Sequence, residues 1–484
     1  MKKLLFSLVF FHCMLGFGQI TVNTPQQLVS ALATVNAGGT IYIKEGVYVF
    51  NAKITISKSG TSSNLISLLP HPDNVGRAKL DFSSMAENSA NQGVVLSGSY
   101  WHIKGIDIFD AGDNGMQIKG SNNLIEFCTF SECSDSGLQI DNGGANNLIL
   151  NCDAFFNADS TKENADGFAC KLTAGTGNKF IGCRAWQNLD DGWDGYLRGT
   201  DNITTTYENC WAFKNGYLKN GTVSGGDGNG FKTGGSDDKL LKHNAIYKNC
   251  IAAGNGFDGF DHNSNRGDVT LYNCSAYGNG RNINFGSTNI ANSLTIKNTV
   301  SFGGVSGGDS YSATTTNITN NSWQNGLVAN AADFVSLDLN LLTSPRKADG
   351  SLPDIDFLKL VPGSDLIDKG INVGLPFNGA APDLGYLETA TLGINGFGVL
   401  EGTFNYPNPF STETTVVFHT KQTATLQLSL YSITGKKIVD MAEKTFPAGK
   451  NTFILNRDAL PSGNYLLVIK GADNLKNSKI ITVK

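Results

Sequence analysis

The chain has 484 residues, more than one ordinary core accommodates, so it holds several domains or a repeat architecture. Only 16% of its residues are charged while 57 are glycine, a balance that suits a turn-rich β protein and argues against a helical one. The net charge is −5, or −7 once Lys2 and Lys3 leave with a leader; with no basic run or patch, nucleic acid is excluded as a partner.

Residues 1–18 read as a secretory signal peptide. Lys2-Lys3 start it, Leu4 to Leu15 form an apolar run too short to span a bilayer, and Gly16-Phe17-Gly18 offers a small-residue cleavage site. The mature protein is therefore expected outside the cell or on its surface, as a soluble monomer. Short alternating runs follow, such as Ile41-Tyr42-Ile43 and Val47 to Phe50. Gln26 to Val35 reads as an amphipathic helix suited to covering the open end of a stack of strands.

From about residue 100 to 325 the sequence repeats. Cys-x-Ala-x-x-Asn occurs from Cys152, Cys183, Cys210, Cys250 and Cys274, at intervals of 31, 27, 40 and 24 residues, with a degenerate copy from Cys128. Asn also precedes the cysteine at Asn151, Asn209, Asn249 and Asn273, and Asn298 continues the column. Such a period, built of short strands joined by Gly and Asn turns, predicts a parallel β-helix. One coil cannot bury its inward side chains, but stacked coils, about 4.8 Å apart, bury a continuous column. Stacked Asn side chains can hydrogen-bond along such a column. The eight cysteines left after Cys13 are expected to be buried as small hydrophobes, with Cys128 and Cys133 the pair least excluded from bonding.

Residues 326–400 lose the repeat and are expected to pack irregularly against the last coils, within a β-helix domain spanning 19–400. Residues 403–484 alternate as strands at Thr414–His419, Thr425–Tyr431, Thr452–Leu455, Asn464–Ile469 and Lys479–Val483, with turns at Thr434-Gly435 and Ser462-Gly463. The fold class is thus all-β: a parallel β-helix followed by a small β-sandwich that carries no cluster of titratable residues.

A second repeat places a polar residue, a Gly and a large apolar residue at Gly115, Gly137, Gly167, Gly192, Gly230 and Gly259. The apolar residues are Met116, Leu138, Phe168, Trp193, Phe231 and Phe260, which should point inward, so that the next residue points out. Laid on the glycines, Asp166 and Asp191 become neighbours on successive coils, flanked by Asp190 and Asp194. Lys232 falls one coil beyond Asp194 in the same outward column. One Asp-Gly is an ordinary turn former. Four carboxylates on two rungs, however, repel unless something positive lies between them. All are hard oxygen donors without His or Cys, which favours Ca²⁺ over zinc. A cation beside an outward lysine suits β-elimination on a uronic acid polymer. Ca²⁺ neutralises the sugar carboxylate and Lys232 takes the C5 proton. A lysine titrates near ~10.4, so an alkaline optimum is expected. Arg198 and Lys171 lie close in sequence and are weak candidates for holding substrate carboxylates.

Asn164-Ala165-Asp166-Gly167-Phe168, Asp190-Asp191-Gly192-Trp193-Asp194-Gly195-Tyr196 and Asn229-Gly230-Phe231-Lys232 resemble polysaccharide lyase family 9, the right-handed β-helix pectate lyases. The resemblance runs from about 25 to 390. It implies that Asp166, Asp190, Asp191 and Asp194 bind Ca²⁺ and that Lys232 is the catalytic base, acting on polygalacturonate or rhamnogalacturonan. Tyr406-Pro407-Asn408-Pro409-Phe410, Leu430 to Lys436 and Leu460 to Tyr465 resemble the type A sorting domain of the type IX secretion system, which implies that machinery as a partner. Two other readings compete. A β-helix glycoside hydrolase would use paired aspartates and dispense with Lys232. A non-catalytic adhesin would hold Ca²⁺ only as a structural ion.

Overall fold

The computed structural model describes residues 18–162, 164–389, 400–420, 423–432, 436–441, 443–458, 460–471 and 476–484. The expected signal peptide, except Gly18, and the Thr434-Gly435 turn lie outside the described residues. The chain divides into two compact units, Met1–Thr389 and Ala390–Lys484.

In the first unit each turn of the chain lays one short strand on each of three parallel sheets, of twelve, ten and ten strands among the described residues. This is a parallel β-helix. The twelve-stranded sheet runs in chain order from Gln19–Val22 to Ala313–Thr319. The site-bearing sheet includes Met116–Ile118, Leu138–Ile140, Phe168–Cys170, Trp193–Asp194, Phe231–Lys232 and Asp258–Asp261. The helix Pro25–Thr34 turns Leu28, Ala31 and Leu32 onto the open end, with Thr24 as its N-cap.

The stacked interior follows the repeats. Phe168, Trp193, Phe231 and Phe260 form one column, with ring centroids 5.1, 4.8 and 5.1 Å apart. The eight described cysteines are buried and free. Cys183 and Cys210 each donate Sγ–H to a carbonyl of the preceding coil, of Ile149 and Phe180, at 3.3 Å.

The two asparagine positions split the work. The ladder runs through the repeat's last residue: Asn157, Asn188, Asn215, Asn255, Asn279 and then Asn282 bond Nδ2 to Oδ1 at 2.8–2.9 Å. Asn151, Asn209, Asn249 and Asn273 instead take left-handed backbone at φ 51–53°, which Asn tolerates. A second ladder, Asn123–Asn147–Asn178, at 3.1 Å, carries no cysteine signature.

Residues 326–389 do pack irregularly, but not only against the last coils. They also reach back to the middle of the third sheet, whose outer face carries the stacked rings of Phe155, Trp186 and Phe213. That apolar column continues through Tyr277 and Phe302 and needs cover; Leu342 lies over its middle beside Arg184, while Phe357 and Phe334 meet the rings of Tyr277 and Phe302. Arg346 from this segment joins Arg184 on the buried carboxylate of Asp153, at 2.6 and 2.8 Å.

Among the described residues the second unit has two antiparallel sheets. One pairs Leu400–Tyr406, Glu413–Thr420 and Gly449–Asn456; the other is built on Ala424–Ser432, Gly463–Gly471 and Lys476–Val483. Phe418, Leu428, Leu467 and Ile469 are part of its own core.

Candidate active site

The glycines of the second repeat are dictated by closeness. A Cβ at Gly167, Gly192 or Gly230 would come 2.7, 2.7 and 2.8 Å from the ladder amides of Asn188, Asn215 and Asn255. The residue before each glycine is thereby pinned at the corner where the Asn ladder turns into the site-bearing sheet. Asp166, Asp191, Asn229 and Asp258 stand in that corner column.

Three residues along each coil, Ala169, Asp194, Lys232, Asp261 and Asn284 are register neighbours on successive coils. Loops far apart in sequence therefore converge. Asp166, Asp190 and Asp191 each present one oxygen within 4.8 Å of the others. Lys232 Nζ lies 3.1 Å from Asp191 Oδ2, 3.2 Å from Asp227 Oδ2 and 4.0 Å from Asp194 Oδ1. Asp194 is outside the three-carboxylate group and is held between lysines, since Lys171 Nζ is 3.4 Å from its Oδ2 and 2.8 Å from Asp166 Oδ2.

Neighbouring groups fix the carboxylates. Ser136 Oγ donates to Asp166 Oδ2 at 2.9 Å. Asn229 donates both N–H and Nδ2–H to Asp191 Oδ1, at 2.8 and 2.9 Å. Tyr196 N–H donates to Asp194 Oδ1, and the Asp227 N–H donates to Asp190 Oδ1. His243, wholly buried, bridges the Gly195 carbonyl and Thr205 Oγ1 at 2.7 Å each and braces the turn after Asp194.

Burial pushes the carboxyl of Asp166 up to about 8 and raises Asp190 and Asp191 as well. Asp194 is equally buried, but Lys232 and Lys171 hold it below the usual carboxylate range. Burial opposes the charge on Lys232. The carboxylates of Asp191, Asp194, Asp190 and Asp166 outweigh it and keep the ammonium well above the ordinary lysine range.

These residues fit a hard divalent cation. Asp191 Oδ2 is buried and has no hydrogen-bond donor; Lys232 is near it but off the hydrogen-bond line. Three carboxylates raised by burial, and one such oxygen, form a set that a divalent charge would satisfy.

Among the sequence candidates, Asp166, Asp190, Asp191, Asp194, Lys171 and Lys232 come together. Arg198 does not join them; it is exposed, 3.2 Å from Asp237, with its guanidinium over the Tyr196 ring. Asp227, which pairs with Lys232, was not foreseen, because its Gly225-Gly226-Asp227-Gly228 loop stands outside both repeats.

The fold and the carboxylate–lysine site define a parallel β-helix enzyme of the polysaccharide lyase class. Residues 17–299 match the family described as "Pel9A-like, right handed beta helix region", and residues 405–484 match "Secretion system C-terminal sorting domain". Pectate lyase L of Dickeya chrysanthemi is 39% identical over 383 residues, which cover 76% of this chain and 86% of that protein. The solved structure of pectate lyase Pel9A is 36% identical with a TM-score of 0.68, covering 77% of this chain and 97% of that one. A rhamnogalacturonan lyase structure is 28% identical with a TM-score of 0.64, covering 71% and 96%. The chain belongs to the Pel9A-like right-handed β-helix family. Membership in a lyase family decides between elimination and the hydrolase or adhesin readings.

Proposed function

We propose that the protein is an exported, Ca²⁺-dependent lyase that cleaves polygalacturonate by β-elimination, with Lys232 as the base. The observation that carries this is the position of Lys232 Nζ, 3.1 Å from an orphaned oxygen of Asp191 and one coil from Asp194 in an outward column.

Asp166, Asp190 and Asp191 would hold the cation, and the family resemblance adds Asp194, which Lys171 and Lys232 keep ionised beside them. When bound, it supplies positive charge that neutralises the uronate carboxylate and stabilises negative charge developing toward C5. With the four aspartates so committed, Lys232 keeps only the exposed carboxylate of Asp227 as a partner, and its buried position then favours the neutral amine. Neutral Lys232 Nζ accepts the C5 proton. The C5–H electron pair forms the C4–C5 double bond, the C4–O bond breaks, and the departing oxygen is protonated from solvent. Asp227 is placed to receive the ammonium that results.

The likeness of the 28% identical rhamnogalacturonan lyase supports a second substrate, since its fold is shared almost as closely. The test is purified enzyme on polygalacturonate and on rhamnogalacturonan, with Ca²⁺ and with chelator, following ultraviolet absorbance of the unsaturated product. Turnover on polygalacturonate that chelation abolishes is the expected result. Saturated products, or turnover indifferent to chelation, would sink the proposal. The sorting domain supports export through a type IX machinery to the cell surface or beyond.

A further inference from the structure

Next to Lys232, on the side of the later coils, lies a cavity of about 410 Å³. Asp227, the partner of Lys232, is in its wall, so it adjoins the reacting lysine. Two coils on, Arg281 is the register partner of Asp258 and Asn284 that of Asp261, itself paired with Lys232. At about 4.8 Å per coil, Arg281 stands about 10 Å along the axis from Lys232.

Arg281 is held rigidly. Its Nε and Nη2 donate to the two oxygens of buried Asp258 at 2.7 Å each. Asn284 Nδ2 braces the same carboxylate at 2.7 Å and Asp261 at 3.1 Å. Among the described residues Nη1 of Arg281 has no partner, and the side chain is 34% exposed at the cavity. The guanidinium lies 5.5 Å from the ring of Phe257, which is 53% exposed. A fixed cation with an unused donor beside an open aromatic face suits a sugar that carries a carboxylate. Asp258 already balances the charge, so binding relies on the directed Nη1–H bond and ring contact rather than on bulk attraction.

We propose that Arg281 and Phe257 form a uronate-binding subsite two coils beyond Lys232, so that the substrate lies along the helix axis and needs a free carboxylate there. This rests on the lyase reading above.

The experiment measures KM and kcat of wild type, Arg281→Gln, Arg281→Lys and Phe257→Ala on oligogalacturonates of increasing length, and on polygalacturonate before and after methyl esterification. Wild-type turnover and the Ca²⁺-induced melting shift are measured first. Their failure would strike the lyase reading, while the subsite is judged by the variants. The expected result is a rise in KM of roughly ten-fold or more for Arg281→Gln on long substrates, with kcat changing far less. The KM penalty grows with chain length and shrinks on esterified polymer, and the Ca²⁺ shift is retained. If Arg281→Gln does not fold, the other two variants decide: a length-dependent rise in KM supports the subsite. An unchanged KM, or a rise equal at every length, overturns it.

Discussion

At Lys232 burial and charge pull in opposite directions, and the four aspartates set the balance. Lys232→Ala should lower kcat by about 10³-fold while Ca²⁺ still binds in calorimetry. Activity within ten-fold of wild type would remove Lys232 as base. Asp191→Asn takes away the orphaned oxygen and should abolish most of the Ca²⁺-induced rise in melting temperature. A third expectation concerns pH. Burial lifts Asp166 to about 8, Asp261 to about 7 and Asp135 to about 6, whereas an unfolded chain releases these protons near ~4. Between those values the folded state binds more protons, so stability falls as pH rises. Asp153 and Asp194 are depressed; their contribution is complete in that window and lost only on further acidification. Urea unfolding in chelator should therefore give a lower midpoint at about pH 8 than at about pH 5, and Ca²⁺ should shrink the gap. A midpoint that climbs across this range would refute it.

The Asn ladder and the covering segment are where elements are joined. Asn215 Oδ1 accepts from both N–H and Nδ2–H of Asn188, and Asn215 donates onward to Asn255 Oδ1. Asn215→Leu would strand the two buried donors of Asn188 and leave Asn255 Oδ1 only the backbone N–H of residue 215, costing about 2–5 kcal/mol in denaturant unfolding. It should also lower activity, because Gly192, between Asp191 and Trp193, packs on that amide. Arg346→Met removes one of two cations from buried Asp153 and should cost about 3 kcal/mol. Limited proteolysis should then cut first within 326–389. The ladder was anticipated in the sequence, but not which Asn column forms it. Both columns repeat every coil, and only backbone geometry separates a left-handed turn from a stacked amide.

As a whole molecule the chain has separate cores in its two units. A chain ending at Thr389 should keep full lyase activity on purified polymer, while losing cell-surface delivery in a host that carries the secretion machinery. Loss of activity in a folded truncation would show that the second unit serves catalysis. Unit by unit, the repeats announced the β-helix, an amphipathic run its capping helix, and apolar–polar alternation the strands after residue 403. The covering segment was misjudged in extent because nothing local marks the Phe155–Trp186–Phe213 stripe as needing cover.

The sequence by itself determined the coil register. The Gly positions and the Cys-x-Ala-x-x-Asn period align Asp166 with Asp191 and Asp194 with Lys232, because a stacked strand has little freedom to slip once aromatics and amides must meet their own kind. Only the tertiary structure decided which side chains reach across coils to meet at the site. Lys171 between Asp166 and Asp194, Asp227 on Lys232, and Arg281 clamped by Asp258 depend on how far side chains and a glycine loop reach across coils, and no period along the chain encodes that distance.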